Sequence, residues 1–445
     1  PNMLLAEAGT GIGKTLGYLA PASLWASEAQ GTVWVSTYTK ALQRQLDRES
    51  LRLFPDPALA ARRVVVRKGR ENYLCLLNLE DALQGGFSGR AAILAQLRSQ
   101  AHRMPPEQLR RVLDSEWGPD WRRRFARFNA TPIAAASIGQ VHRATLPDGR
   151  ELAIKVQYPG VRESIDSDVD NVATLLRITG LLPKELDLAP LLVAAKEQLH
   201  EEADYRREGQ MMRRYAALLA GHDAFVVPTL DEDLTRDRVL AMSYEEGRPI
   251  EQLGDQPQEV RDTVFAQVIE LVARELFDWR LMQTDPNFAN YRYREADQKI
   301  VLLDFGATRE VTPAISQSYR TLLEAGLARD HEAVKQAAVE ADFMNRHVVD
   351  AHGETIDRMI EVILSEMAKD APFDFGDRGF VPTLRDEGME LAKDKGTWHI
   401  PPAETLFVQR KVSGTALLGA RIGAVVNVHA IIRRVLDETS GGKPA

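Results

Sequence analysis

The chain has 445 residues, more than one hydrophobic core usually supports, so its length indicates two or more domains. With 44% hydrophobic and 27% charged residues, the composition argues against a disordered chain and against a membrane-spanning one. The net charge of −8 divides into +3 over the first 97 residues and −11 over the rest, which makes nucleic acid an unexpected partner of the acidic part.

The number of cysteines and the apolar stretches of the sequence indicate the cellular compartment of the protein. Cys75 is the sole cysteine of the sequence, so no disulfide forms within the chain, as in a reducing compartment. No signal peptide is visible at the first residues, which lead straight into a glycine-rich turn. The apolar run 412–431 is interrupted by Arg421 and flanked by Arg410 and Lys411 and by further arginines, so it predicts a packed or peripheral helix. We therefore expect a cytoplasmic protein, or one peripheral on a membrane, without a spanning segment.

The first 97 residues predict a strand, a phosphate loop and a helix, followed by strands at 32–37 and 63–67. The stretch Gly-Thr-Gly-Ile-Gly-Lys-Thr is a P-loop pattern: glycines such as Gly13 let backbone N–H groups face phosphates, Lys14 reaches the β- and γ-phosphates, and Thr15 binds Mg²⁺. No further parallel strand follows. We predict a partial α/β (RecA-like) P-loop fragment over 1–97.

A second domain is predicted over 98–439, because the pattern changes there to an arginine-rich amphipathic helix and then to mixed strands and helices. The order predicts an α+β fold with one lobe over about 130–245, another over about 246–439, and a disordered tail at 440–445. The expected elements are a helix at 105–127, a strand at 152–156, helices over 161–220, strands over 224–244, a helix at 258–280, a strand at 299–304, and helices after 312.

Three short motifs in this domain predict a phosphoryl-transfer site. Lys155 ends an apolar strand, Asp285 and Asn290 have the D-x-x-x-x-N spacing of a kinase catalytic loop, and Asp304 precedes Phe-Gly nineteen residues after Asp285. Each motif alone has a structural explanation, namely an exposed strand edge, an Asp-Pro turn or chance. In this order they predict a protein-kinase-like fold.

The loop over 132–142 carries alanines where ordinary kinases place glycines over the phosphates. Together with Glu202-Ala203-Asp204 (an ExD motif), the stretch 283–287 (Gln-Thr-Asp-Pro-Asn) and the stretch 303–310 (Leu-Asp-Phe-Gly-Ala-Thr-Arg-Glu), this loop closely resembles the UbiB/AarF atypical kinases. The resemblance covers about 98–445 and is strongest to the coenzyme Q biosynthesis branch.

The resemblance implies a two-lobed protein-kinase-like fold with extra helices, which binds ATP and Mg²⁺ and acts as an atypical kinase or ATPase in ubiquinone biosynthesis. Lipid or quinone-pathway enzymes at a membrane surface are the implied partners. It further implies that Lys155 holds the α/β phosphates and pairs with Glu208, that Asp285 is catalytic, and that Asn290 and Asp304 ligate Mg²⁺. The remaining nucleotide contacts implied are Ala134, Ala135, Ala136, Ser137, Ile138 and Gly139 over the phosphates, Glu202 and Asp204 of the ExD motif, and Met242 and Tyr244 of an adenine hinge at 242–247.

Two features qualify this resemblance. Acidic residues such as Glu202, Asp204 and Glu208 on a helix usually form a solvated face. Relatives also carry a helical extension with a K-x-G-Q motif over the active site, and K-x-G-Q does not occur in this sequence. If that extension restrains the site, the cleft of this chain should admit larger substrates.

The N-terminal fragment resembles the start of DinG-type iron-sulfur helicases, in the stretches 35–46 and 68–75. In that family the cysteine corresponding to Cys75 holds a cluster together with three further thiolates, which this chain does not have. No D-E-x-H motif follows, so we do not expect helicase activity.

Four hypotheses remain open from the sequence. The first is a Mg-ATP-dependent UbiB-type enzyme. The second is a nucleotide-dependent scaffold of lipid-biosynthesis enzymes without turnover. The third is a DNA-dependent P-loop ATPase or helicase remnant using Lys14, and the fourth is an inactive fusion product.

Overall fold

The structure, a computed structural model, describes residues 104–440, except for residue 137 and the stretches 180–188, 378, 380, 392–393 and 395–400. The predictions for the P-loop, with Gly13, Lys14 and Thr15, for Cys75 and for Ser137 lie outside the described residues. The same holds for the end of the predicted tail, 441–445.

An antiparallel sheet forms the N-terminal lobe, because the alternating and apolar stretches of this region pair with their neighbours in sequence. Its strands are β1 Arg127–Phe128, β2 Ala134–Ala135, β3 Gly139–Thr145, β4 Glu151–Gln157 and β6 Val239–Ser243. The strand order is β1-β3-β4-β6, with β2 paired to β3. The central strand β4 is buried from Leu152 to Gln157, so the charged Lys155 within this stretch is buried as well.

The helix predicted at 105–127 is shorter in the structure. Helix α1 covers Pro106–Trp117, and a separate 3-10 turn follows at Trp121–Arg124. The reason is local: Gly118 has a φ of 81°, which ends the helix, and the next residue is a proline, which cannot continue it.

Aromatic side chains attach α1 to the sheet. The ring of Trp117 lies 5.9 Å from that of Trp121 and 5.4 Å from that of Phe125. The indole N–H of Trp117 donates to the carbonyl of Leu234 at 2.7 Å, which satisfies the polar atom of a buried side chain. The core of the N-terminal lobe therefore includes residues upstream of the predicted boundary near 130.

Three helices follow β4: α2 Val161–Thr179, α3 Ala189–Glu202 and α4 Tyr205–Leu218. The ExD motif lies at the break between α3 and α4. Asp204 is the N-cap of α4, since its carboxylate accepts from the backbone N–H groups of Arg206 and Arg207 at 3.1 and 3.0 Å. This cap fixes the start of the helix that carries Glu208.

The C-terminal lobe begins with two small sheets beside a long helix. Its elements are β5 Phe225–Val226, β7 Arg248–Pro249, α5 Gln258–Phe277, β8 Leu281–Gln283, β9 Tyr291–Arg294, β10 Lys299–Leu302 and β11 Thr308–Glu310. One sheet has the order β5-β10-β9-β7, and β8 pairs with β11 in the other. Since β5 pairs in parallel with β10, residues 225–226 belong to this sheet rather than to the N-terminal one.

The region after 312 is mostly helical, as predicted, but not entirely. Its helices are α6 Pro313–Leu327, α7 His331–Glu340, α8 Arg346–Met367, α9 Val381–Leu391, α10 Ala403–Ile422 and α11 Val428–Ser440. Two short strands interrupt them, β12 Phe373–Asp374 and β13 Val425–Val426, which pair with each other. Gly423 ends α10 in a left-handed conformation with φ 63°, so the apolar run 412–431 is divided between two helices.

Candidate active site

Lys155 lies in the middle of the N-terminal sheet. It is on β4, opposite Val141 of β3 and Leu240 of β6, and its side chain is 6% exposed. A buried ammonium group requires anionic partners. We therefore expect carboxylates next to Lys155 on the elements that face β4.

Glu208 is the first of these partners. The capped start of α4 places its fully buried carboxylate against Lys155, whose ammonium donates to both carboxylate oxygens at 2.9 and 3.0 Å. Of the acidic residues around the ExD motif, Glu208 thus forms the pair with Lys155. Burial would lower the pKa of Lys155, but the carboxylates of Asp304 and Glu208 raise it well above its usual value, so the lysine stays protonated.

Asp304 is the second partner. It follows β10 in the Asp-Phe-Gly turn, where its Oδ1 accepts from the backbone N–H of Gly306 at 2.9 Å and its Oδ2 accepts from Lys155 at 3.1 Å. A Cβ on Gly306 would lie 3.3 Å from Asp304 Oδ1 and 3.5 Å from Glu208 Oε2. Glycine therefore lets the turn approach both carboxylates.

The D-x-x-x-x-N stretch forms a compact loop after β8. Asn290 donates its side-chain N–H to Asp285 Oδ2 at 2.9 Å, and Asn287 accepts from the backbone N–H of Ala289 at 3.1 Å. Thr284 holds the entry to the loop, since its hydroxyl donates to the carbonyl of Ala307 at 2.8 Å. The loop is therefore tied to the segment that carries Asp304.

Glu202 completes an acidic cleft, whose lining residues are Lys155, Glu202, Asp285, Asp304, Gly306 and Ala307. Glu202 accepts from Gln198 at 3.0 Å. Burial raises the pKa of Glu202 to about 7, and the negative charges of Asp285 and Asp304 contribute to this shift. The cleft thus holds more carboxylates than its one lysine can neutralise.

This surplus of negative charge fits a divalent cation. Carboxylate and amide oxygens of Asp304 and Asn290 are hard ligands of the kind that Mg²⁺ prefers. Among the described residues, no group of three or more His, Cys, Asp or Glu side chains is arranged to hold a metal by itself. A site of one or two protein ligands is typical of Mg²⁺ that is bound together with substrate phosphates.

The other predicted nucleotide contacts that the structure describes are not among the residues that line this cleft. The alanine-rich loop is the β2–β3 hairpin, closed by the bond from Ala136 N–H to the carbonyl of Gly139 at 2.9 Å. Ala134 and Ala135 are exposed, whereas Ile138 and Gly139 are buried. On β6, Met242 is buried opposite Ala153, and Tyr244 just after the strand stacks on Arg143 at 4.1 Å.

Sequence reasoning missed three residues of helix α10 that contact the D-x-x-x-x-N loop. Arg410 donates to Asp285 Oδ1 at 3.2 Å, and the buried Lys411 donates to Gln283 and to the hydroxyl of Tyr291 at 3.0 and 2.6 Å. A Cβ on Gly414 would lie 2.1 Å from Pro286, so the helix touches the loop directly. The sequence had indicated Arg410 and Lys411 only as basic residues beside an apolar run.

Residues 96–338 match the ABC1 atypical kinase-like domain. The chain belongs to this family. The ABC1 family membership confirms the predicted enzyme class, an atypical kinase or ATPase. It also agrees with the UbiB/AarF resemblance of the sequence.

The similarity of this chain to individual relatives covers more residues than the matched ABC1 domain. It is 36% identical over 348 residues to the mitochondrial atypical kinase COQ8 of Saccharomyces cerevisiae, covering 77% of this chain and 68% of the yeast protein. It is 34% identical over 351 residues to the mitochondrial atypical kinase coq-8 of Caenorhabditis elegans, covering 77% of this chain and 46% of the nematode protein. The chain thus spans about half to two thirds of the length of these relatives.

The fold of this ABC1 family member is also that of a solved structure. Rv3197 of Mycobacterium tuberculosis, described in complex with erythromycin, superposes with a TM-score of 0.61 at 25% identity, over 77% of this chain and 85% of that one. The predicted α+β, two-lobed protein-kinase-like fold is confirmed. Within the described part of the chain, no helix combines the length and the apolar character that crossing a bilayer requires.

Proposed function

We propose that this chain is a UbiB-type atypical kinase or ATPase that binds Mg-ATP and supports ubiquinone (coenzyme Q) biosynthesis. One observation carries the proposal: Lys155, Glu208 and Asp304 form one ion-pair cluster, and Asp285, which accepts a hydrogen bond from Asn290, lines the same cleft as Lys155 and Asp304. These residues come from four separate parts of the chain, and their order is that of a phosphoryl-transfer site.

Each residue has a distinct role in this proposal. Lys155 binds the α/β phosphates, and Glu208 holds its ammonium group in place. Asn290 and Asp304 would hold Mg²⁺, which supplies charge neutralisation at the phosphates when bound. Asp285 faces the nucleophile, either water or a substrate hydroxyl, and accepts its proton. The ExD carboxylates and the alanine-rich hairpin border the nucleotide, with Met242 and Tyr244 near the adenine.

The biological setting is part of the proposal. The two COQ8-type relatives named above are mitochondrial proteins, and coenzyme Q intermediates are lipids. We therefore propose that the chain works beside lipid or quinone-pathway enzymes at a membrane surface, peripherally bound. The cytoplasmic compartment expected from the sequence stays a prediction.

ATP hydrolysis by the full chain tests the enzymatic part. We expect Mg²⁺-dependent phosphate release that falls about 100-fold or more in Asp304→Asn, because this change removes a carboxylate ligand from the metal. Asp297→Asn is the matched control, since Asp297 is an aspartate outside the cleft that pairs with Arg294. Equal hydrolysis by Asp304→Asn and the wild type would sink the proposal, and ATP binding without hydrolysis would favour the scaffold hypothesis.

A second experiment tests the pathway. In a strain deficient in its own UbiB-type protein, the wild-type chain should restore ubiquinone, and Asp304→Asn should not. Quinone extraction measures the outcome. Restoration by both forms would assign the function to a binding role instead.

A further inference from the structure

Asp285 has a partner that none of the sequence motifs contains. Its Oδ2 accepts from Asn290 at 2.9 Å within its own loop, while its Oδ1 accepts from Arg410 at 3.2 Å. Arg410 lies 125 positions further along the chain, on helix α10. The matched kinase-like domain ends at residue 338, well before this helix.

The rest of α10 fixes the position of Arg410. The next residue, Lys411, is 1% exposed and donates to Gln283 and to the hydroxyl of Tyr291, which flank the loop on its two sides. One turn further, Gly414 allows the helix backbone to contact Pro286, since a Cβ there would lie 2.1 Å from the proline ring. The helix is therefore held against the start of the loop and against the residues that flank it on both sides.

Arg410 differs from Lys411 in exposure. Its side chain is 43% exposed, and that of Asp285 is 25% exposed, so the pair lies at the solvent side of the cleft. An ion pair this exposed contributes little to the stability of the fold. The pair can act on the orientation of Asp285 instead, because a charge-assisted hydrogen bond restricts how that carboxylate turns.

We propose that Arg410 is a positioning residue that orients Asp285 for the reaction, and that α10 is thereby part of the active site. The inference rests on the proposed function. With Asn290 on one oxygen and Arg410 on the other, the plane of the Asp285 carboxylate is defined from two sides. Loss of Arg410 leaves a single contact, and the carboxylate can turn away from the nucleophile.

The test is steady-state ATP hydrolysis by the full chain with Arg410→Gln, Arg410→Lys and the control Arg421→Gln. Arg421 is an exposed arginine in the last turn of the same helix. We expect Arg410→Gln to lower kcat about 10- to 100-fold, the range for losing a charged hydrogen bond that orients a reacting group, with KM for ATP changed less than about twofold. Arg410→Lys should recover part of the loss, and Arg421→Gln should match the wild type.

A double-mutant cycle identifies the route of the effect. If Arg410 acts through Asp285, then Arg410→Gln should change kcat little in an Asp285→Asn background, because the carboxylate that it orients is absent. The proposal would be overturned if the fold-losses in kcat of Arg410→Gln and Asp285→Asn multiplied in the double variant. A raised KM with unchanged kcat in Arg410→Gln would also overturn it. Such results would place Arg410 on the nucleotide instead.

Failure of the proposed function gives a different pattern. In that case the wild type shows no hydrolysis that depends on Lys155, as measured with Lys155→Ala. If hydrolysis depends on Lys155 and Arg410→Gln nevertheless equals Arg421→Gln, the proposed function stands and the role of Arg410 is refuted.

Discussion

Single residues of the cleft show an imbalance of charge that determines how the site responds to pH. Desolvation in the cleft and the charges of Asp285 and Asp304 raise the pKa of the half-buried Glu202 to about 7, whereas the ordinary value for glutamate is 4.5. Between these two values Glu202 therefore binds more protons in the folded chain than in the unfolded chain. Its contribution lowers the free energy of unfolding as the pH rises through this window, and this loss is complete above pH 7.

Glu202→Gln should remove this loss of stability. We expect the variant to be more stable than the wild type at pH 8 by about 1–3 kcal/mol, since one pKa unit corresponds to about 1.4 kcal/mol, and to lose its advantage near pH 4.5. Urea unfolding at several pH values measures the difference. Glu197→Gln, an exposed glutamate on the same helix, should show no such pH dependence. If Glu202→Gln is less stable than the wild type at pH 8, the cleft does not carry the excess negative charge inferred here.

Lys411 is a second residue whose environment makes a prediction. It is buried with Glu275, whose Oε2 lies 3.7 Å away and whose Oε1 accepts from Tyr215 at 2.9 Å. Burial raises the pKa of Glu275, and the charge of Lys411 opposes this shift. Lys411→Met should destabilise the chain by about 3–5 kcal/mol, because it leaves a buried carboxylate without its cation.

The partner variant checks the cause of this loss. Adding Glu275→Gln to Lys411→Met should recover part of the stability, since the unpaired buried charge is then removed. Denaturant unfolding of the two single variants and the double variant forms the cycle. If the double variant is as unstable as the sum of the single ones, Lys411 stabilises the chain by packing rather than by its charge.

The sequence predicted which residues lie at one site, because each of them is part of a short kinase motif. Lys155, Asp285, Asn290 and Asp304 were expected at one site, and the structure lines one cleft with Lys155, Asp285 and Asp304 while Asn290 binds Asp285. Arg410 could not be predicted in this way, since its contact with Asp285 spans 125 positions and no local pattern marks it. Asp204 was expected at the nucleotide, and its carboxylate caps helix α4 in the structure.

At the scale of elements, the contact between α10 and the loop after β8 leaves no room for a larger side chain at Gly414. Gly414→Ala places a Cβ 2.1 Å from the ring of Pro286, so the helix and the rigid proline ring must then separate. We expect a loss of about 1–3 kcal/mol in unfolding free energy and a fall in ATP hydrolysis, because the loop that carries Asp285 moves.

A second helical glycine provides the matched control for this prediction. Gly388 on α9 has no atom within 4 Å of the position of a Cβ, so Gly388→Ala should stabilise the chain by about 0.5–1 kcal/mol through helix propensity alone. Chemical unfolding and hydrolysis assays compare the two variants. Equal behaviour of Gly414→Ala and Gly388→Ala would show that α10 does not press on the loop.

Element boundaries were predicted less well than element types. The strand at 152–156 and the helix at 258–280 were expected from periodicity, and β4 and α5 lie there. The helix at 105–127 was too long, because amphipathic spacing continues past Gly118 although the backbone does not. The strands β12 and β13 have two residues each, too few for a period-2 pattern to indicate them.

At the scale of the whole molecule, motif order predicted the kinase-like fold, whereas the order of predicted strands and helices indicated only an α+β class. The two lobes do not divide at a single position in the chain, since β5 precedes β6 in sequence but pairs with β10 of the C-terminal lobe. Long-range pairing of two-residue strands leaves no sequence signal. The DinG-like fragment at 1–97 stays a prediction, and its P-loop pattern predicts a second ATP site in the same chain.

The most direct test of the central claim is the Mg-ATP-induced thermal shift of the full chain beside its Lys155→Ala and Lys14→Ala variants. A ligand at 100 times its Kd stabilises the folded state by about 2.7 kcal/mol, so binding at one site is measurable as a rise in Tm. We expect the shift to disappear in Lys155→Ala and to persist in Lys14→Ala. A shift that survives Lys155→Ala and is lost in Lys14→Ala would contradict the central claim and assign nucleotide binding to the P-loop.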